Sequence, residues 1–223
     1  MLIFSLWRRD AAHRGVGYIV GALDVDAAAE RPVFTSRCAG ILDTGSSFYA
    51  PQAVASTGAD GAPARALLWG WAQEVAPSGV RSRTQTDNDA HGWSGLLTFP
   101  RELVVAGDVV ESVPARELTA LRDEPVDAGR LPDQAELVLG GVGTAELRLG
   151  AGGTTQTIWR GELSGEDEVR ILVDASIVEV FTTGRPAETY RAYPEDDEAY
   201  ALVHDDGVSV AAWHLALPVP GSD

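Results

Sequence analysis

From residue 135 to 217 the chain alternates between short apolar runs and turn residues, and this rhythm constrains its fold most. Runs at 135–140, 145–149, 155–163, 169–173, 177–181, 188–193, 199–204 and 208–217 are separated by short polar or glycine-bearing gaps. Alternation places every second side chain on one face of a strand, and short gaps with turn residues make hairpins. About eight strands in roughly 90 residues predict a β-sandwich.

The first half also reads as strands, at 1–7, 16–23, 33–39, 48–54, 66–72, 95–99 and 103–113, the last folded at Ala106-Gly107-Asp108. A loop rich in Gly, Ala and Pro spans 56–64. Strands in groups of about four suit propeller blades, although no internal repeat is strong enough to prove them. Residues 115–122 have helical spacing, with Leu118 and Leu121 on one side. Residues 124–133 carry Pro125 and Pro132 and read as a linker. The expectation is an all-β chain in two modules, 1–124 and 125–223.

Bulk properties narrow the partners. An apolar fraction of 45% argues against disorder. A formal net charge of −16 argues against nucleic acid and anionic membranes, which would repel the chain. No apolar run approaches the ~18–20 residues of a membrane span. Cys38 is alone, so no intrachain disulfide forms, and the compartment stays open between cytoplasmic and secreted. Residues 1–7 are apolar and precede Arg8 and Arg9, the reverse of a secretory signal. They read as a core strand, which suggests a chain that starts in mid-domain. His13, His91, His204 and His214 show no metal-ligand spacing, and nothing implies a cofactor. The acidic run Glu195-Asp196-Asp197-Glu198 reads as a solvated loop.

The stretch Ile41-Leu42-Asp43-Thr44-Gly45-Ser46-Ser47-Phe48-Tyr49-Ala50-Pro51-Gln52 holds the densest chemistry. Glycine permits a sharp bend, and Asp at a turn bonds its own backbone. The bend is expected to present Asp43 beside Phe48 and Tyr49. A carboxylate for hydroxyls beside flat apolar faces is what a sugar site needs. In Leu67-Leu68-Trp69-Gly70-Trp71-Ala72-Gln73-Glu74, strand geometry puts Trp69 and Trp71 on one face, as a stacking platform or as core.

Asp43-Thr44-Gly45 resembles the turn of aspartic proteases. A single-chain protease of that type needs a second such turn, and Asp206-Gly207 and Asp174-Ala175-Ser176 each lack a required residue. A dimeric protease is the remote alternative. The longer string through Gln52 is similar to glycoside hydrolase family 32, the invertases, levanases and inulinases. Three further strings resemble that family in its order. They are the Trp69–Glu74 segment, Gly92-Trp93-Ser94-Gly95 leading to Pro100-Arg101-Glu102-Leu103, and Val173-Asp174-Ala175-Ser176-Ile177-Val178-Glu179-Val180-Phe181. The resemblance implies the final blades of a five-bladed β-propeller followed by a C-terminal β-sandwich. It implies substrate contacts for Asp43 and Trp71, with Phe48, Tyr49 and Glu74 beside them, and a small fructoside as substrate. The Pro100–Leu103 string reads as structural. Asp174 and Glu179 read as hairpin turn contacts far from the other motifs.

Retaining glycosidases need two carboxyls about 5–5.5 Å apart. In the family these come from Asn-Asp-Pro and Glu-Cys strings, with an Arg-Asp-Pro stabiliser. Here Asn88-Asp89 is followed by Ala90, Arg9-Asp10 by Ala11, and Cys38 is preceded by Arg37. No catalytic carboxylate is therefore assigned. The expectation is a C-terminal family 32 fragment, inactive alone, whose partner is the missing N-terminal half as a separate chain. A non-catalytic carbohydrate-binding remnant is the alternative. Asn in place of Asp43 imitates the turn bond, so Asp43→Asn is expected to leave stability unchanged.

Overall fold

The computed structural model describes residues 1–7, 15–26, 31–56 and 64–217. Most of the 56–64 loop, and His13, lie outside the described residues. Strands β1 (Leu2–Ser5), β2 (Val16–Asp26) and β3 (Arg31–Asp43) form an antiparallel meander in the order β1-β2-β3. A second antiparallel sheet holds β4 (Phe48–Ser56), β5 (Arg65–Ala72), β6 (Leu96–Leu97), β7 (Arg101–Ala106) and β8 (Val109–Pro114). These two sheets share a core of Val16, Tyr18, Val20, Leu42, Phe48, Leu68, Leu103 and Val110.

Between β5 and β6 runs helix α1 (Gln85–His91). Thr84 caps it, its hydroxyl accepting from Asp87 N–H while the Asp87 carboxylate accepts from Thr84 N–H. Gly92 ends the helix at a φ of 75°. A 3-10 helix, Arg116–Leu121, follows β8 and buries Leu118, as the helical spacing predicted.

The remaining strands are β9 (Arg122–Pro125), β10 (Gln134–Ala151), β11 (Thr154–Ser164), β12 (Val169–Asp174), β13 (Ile177–Thr182), β14 (Glu188–Arg191), β15 (Ala199–His204) and β16 (Val208–Leu215). Their organiser is β10. Its first half pairs with β12 and β16, and its second half pairs with β11 and β15. The strand therefore serves two layers. Ala135, Leu137 and Leu139 from one half and Ala145, Leu147 and Leu149 from the other enter a single core. The sequence pattern had split this strand at residues 141–144. The chain stays paired there because Gly141 and Gly143 take φ values of 90° and 143°, which turn the strand without ending it.

The expected linker is structured in part. Pro125 closes β9, an edge strand beside β16, where its missing N–H removes no ladder bond. Val126 N–H then donates to Ala212 O at 3.0 Å, and Leu131, buried in the core, donates to Tyr200 O at 2.8 Å. A smaller cluster of Leu118, Leu172, Phe181, Ala187 and Leu215, with Phe99 against it, ties the front sheets to the outer face of the back layers. Strand β13 is thereby buried on both faces, which explains why it is apolar from Ile177 to Phe181 except at Glu179.

At Gly141 a Cβ would stand 2.3 Å from Gly207 O, on a backbone that side chains rarely adopt. Gly141→Ala should destabilise the chain by about 1–3 kcal/mol in urea denaturation. Gly152→Ala, with φ of 56° and nothing within 4 Å, should cost only about 1–2 kcal/mol. Equal losses would remove the close approach from the explanation.

Candidate functional site

Strand β3 ends at Asp43, and the turn after it presses against β14. Asp43 Oδ1 accepts from Gly45 N–H at 2.9 Å, closing the predicted turn, and from Thr189 N–H at 3.1 Å. Its Oδ2 accepts from Arg101 Nη1 at 2.8 Å and Thr189 Oγ1 at 2.6 Å. Glycine is required at 45, since a Cβ there would lie 2.1 Å from Thr189 N. Asp43 is only 2% exposed. The expectation that it offers its carboxylate to sugar hydroxyls is corrected: both oxygens are occupied and face inward. Phe48 is buried too, its ring under the Arg101 guanidinium at 4.4 Å. The carboxylate and the aromatic do meet, but around an arginine. Tyr49 is half-buried, and its strand register sets it opposite Trp71.

Arg101 is fully buried at the start of β7. Its Nε donates to Glu179 Oε1 at 2.9 Å and its Nη2 to Thr189 Oγ1 at 2.5 Å, with a second bond from Nη2 to Glu179. Phe99 N–H donates to the other Glu179 oxygen at 2.6 Å. The two carboxyls read as one distant hairpin therefore part company. Asp174 is exposed and bonds Gln134 at 3.0 Å, whereas Glu179 joins the front half of the chain. Burial lifts the Glu179 pKa above its ordinary value, and the attraction of Arg101 does not reverse it. Burial works against the Arg101 charge, but Glu179 and Asp43 outweigh it. One guanidinium is shared between two buried carboxyl groups. A sealed pair with a shared cation cannot reach a sugar ring, so Asp43 and Glu179 are not a glycosidase pair.

The water-facing corner lies at the end of β5. Leu68, Gly70 and Ala72 turn inward, while Trp71 is 41% exposed and Trp69 half-buried. The Trp71 indole rests on Gly95, where a Cβ would come within 2.0 Å of Nε1. Glu74 Oε1 accepts from Gly95 N–H at 2.5 Å, and Tyr193 donates its hydroxyl to Oε2. Arg191 is fully buried beside them, with Nη2 3.4 Å from Glu74. It donates to Tyr193 Oη at 2.5 Å, Ser176 Oγ at 3.1 Å and Ala72 O at 3.3 Å. Burial lowers the Arg191 pKa, and Glu74 opposes that. Arg83 stacks on Tyr193 at 4.0 Å and on Trp93 at 4.9 Å, at the wall of a cavity of about 570 Å³. The acidic run borders this cavity and is not wholly solvated: Glu198 pairs with Arg81 at 2.5 Å. Among the described residues no group of three or more His, Cys, Asp or Glu side chains could hold a metal ion.

Sequence reasoning missed Arg191 and Tyr193, and missed the Arg101–Glu179 pair. One signal was present for the pair: Glu179 interrupts an apolar strand, which is tolerable only with a buried cation to meet it.

Both halves of the chain match one family of known proteins. Residues 1–114 match the model described as the glycosyl hydrolases family 32 N-terminal domain, and residues 136–214 match that family's C-terminal model. A sucrose-6-phosphate hydrolase of Salmonella typhimurium is 33% identical over 168 residues, 64% of this chain and 34% of its own. The Klebsiella pneumoniae hydrolase of that name is 32% identical over 192 residues, 74% of this chain and 39% of its own. The chain thus spans little more than a third of these relatives. A family 32 β-fructofuranosidase of Bombyx mori superposes with a TM-score of 0.68 at 23% identity, over 95% of this chain and 49% of its own. That likeness shows the fold.

Arg101→Met leaves two buried carboxylates facing each other and should cost at least about 3 kcal/mol near pH 7. Burial already raises Glu179, removing Arg101 takes away the attraction that opposed this, and a raised carboxyl favours the fold at low pH and opposes it as the pH climbs through its folded value. The penalty should therefore shrink towards about pH 4 in paired urea titrations against the parent. Asp43→Asn should destabilise by about 1–3 kcal/mol, against the unchanged stability expected from the turn alone. A melting temperature equal to the parent's would return Asp43 to a simple turn residue.

Proposed function

Because this chain belongs to glycoside hydrolase family 32, we propose that it forms part of a β-fructofuranosidase-type glycosidase acting on the terminal fructofuranosyl bond of sucrose or a fructan. The observation that carries the reading is the match of both family models, in order, over most of the chain. The two front sheets are consecutive blades of a five-bladed propeller within residues 1–124, and residues 125–223 are the sandwich module. Exposed apolar side chains on the first sheet, among them Leu2, Phe4, Leu23 and Val25, suit a sheet that packs against another blade. The sucrose-6-phosphate hydrolases and a Bombyx mori β-fructofuranosidase structure titled as a complex with sucrose support the substrate class.

The chemistry needs a nucleophile at the anomeric carbon and an acid to protonate the departing oxygen, then the same group as base for water. Residues 1–223 lack the family strings that carry these groups, so the reacting carboxyls come from another segment. This chain supplies a wall. Trp71 offers its exposed indole face to the furanose ring, with Tyr49 opposite it on β4. Glu74 stands at the rim with one oxygen on Gly95 and the other on Tyr193. Asp43, Phe48 and Arg101 hold the floor and touch no substrate.

The chain alone should release no fructose from sucrose or inulin. Combined with an N-terminal half bearing Asn-Asp-Pro, Arg-Asp-Pro and Glu-Cys strings, it should regain turnover. Trp71→Ala should then lower kcat/KM at least about tenfold, roughly 1.4 kcal/mol of transition-state stabilisation. Turnover by the isolated chain would overturn this division of labour. Binding of fructosides without turnover in the combined form would instead favour a non-catalytic carbohydrate-binding protein.

A further inference from the structure

We propose that Arg191 and Tyr193, both from the back half of the chain, are positioning residues that set the tilt of the Trp71 indole in the sugar pocket. The proposal rests on the reading of Trp71 as the sugar-facing side chain, but its structural part stands without it.

The contacts form one continuous relay. Arg191, fully buried, binds Ser176 Oγ in the back half and Ala72 O at the end of β5, so it spans the two halves. Its Nη2 donates to the Tyr193 hydroxyl, which has one proton and gives it to Glu74. The proton's direction is therefore fixed by the arginine on one side and the carboxylate on the other. Arg83, stacked on the Tyr193 ring at 4.0 Å, holds that ring from the cavity side. Glu74, with one oxygen so held, uses the other to accept Gly95 N–H at 2.5 Å. Gly95 sits at φ of 67° with its Cα against the Trp71 indole, where no side chain would fit. The Nε1 edge of the indole thus leans on a peptide whose place depends on Glu74, and Glu74 depends on Tyr193 and Arg191.

A bland structural role is separable. If Arg191 and Tyr193 only join the two halves, weakening them alters stability and leaves the indole's surroundings alone. If they position Trp71, a variant that still folds must move it. Tyr193→Phe removes the hydroxyl at the centre of the relay. Glu74→Asp keeps the charge that Arg191 needs but shortens the reach to Gly95. Positioning errors of this kind are known to weaken sites by large factors without removing any contacting group.

The test uses the full chain labelled with 5-fluorotryptophan, its six indoles resolved by 19F NMR and Trp71 assigned from the Trp71→Phe spectrum. Tyr193→Phe and Glu74→Asp should each shift or split the Trp71 signal while the remote Trp213 signal stays in place. A Trp71 signal unmoved in either folded variant overturns the proposal. A second arm titrates fructose and sucrose into the parent, Trp71→Ala and Tyr193→Phe by calorimetry. Affinity lost with Trp71→Ala and weakened about tenfold with Tyr193→Phe supports positioning of the sugar. Affinity lost with Trp71→Ala but unchanged with Tyr193→Phe overturns it. No binding by the parent counts against the sugar reading alone, and the 19F spectra then decide whether the relay positions the indole.

Discussion

The fold turns on a single guanidinium. Arg101 is fully buried between Asp43 and Glu179, with Thr189 and the Phe48 and Phe181 rings around it. The five neighbours come from four parts of the chain: the end of β3, the start of β4, β13, which supplies both Glu179 and Phe181, and the second residue of β14. A buried ion cluster of this kind is weak evidence for stability, because desolvation offsets much of the attraction. What it does is specify. Each charge tolerates burial only when the others are in place, so the turn at Asp43, the entry to β7 and the β13–β14 hairpin must be assembled together. Arg191 repeats the arrangement on a smaller scale with Glu74. A fragment cut between the halves would strand Glu179 and Arg191, so the back layers lean on the front sheets.

Much of the fold was legible. Period-2 alternation located nearly every strand, and the helical spacing of Leu118 matched the structure. Where the reading slipped, a local signal had a second physical meaning. Pro125 and Pro132 look like linker residues, but proline also suits an edge strand. Gly141 and Gly143 look like a hairpin, but glycine also lets a continuous strand bend. Trp71 is exposed as its strand phase allows, whereas Asp43 closes its turn as expected but is buried. The turn motif shows that Asp43 bonds its own backbone, and it is silent about Arg101, 58 positions away. A lone charge inside an apolar strand announces that a partner exists and cannot name it. The candidate site was legible where exposure decides and illegible where long-range pairing does.

This division also explains how a wall of the proposed pocket is kept apart from its support. Buried charges set the backbone, and the exposed corner carries the few groups with a free face.

Strand β10 bears on the order in which the molecule takes shape. Two of its partners, β11 and β12, follow closely in sequence, and loops that short close at little entropic cost. The other two, β15 and β16, arrive only after β13 and β14 have been made, and β16 is the last strand described. Until it docks, one edge of β10 and all of β9 lie open. The most central strand is thus completed by the most C-terminal one. During synthesis, the back layers cannot close until β16 has emerged, and a chain interrupted before that strand would present an unpaired edge to its neighbours.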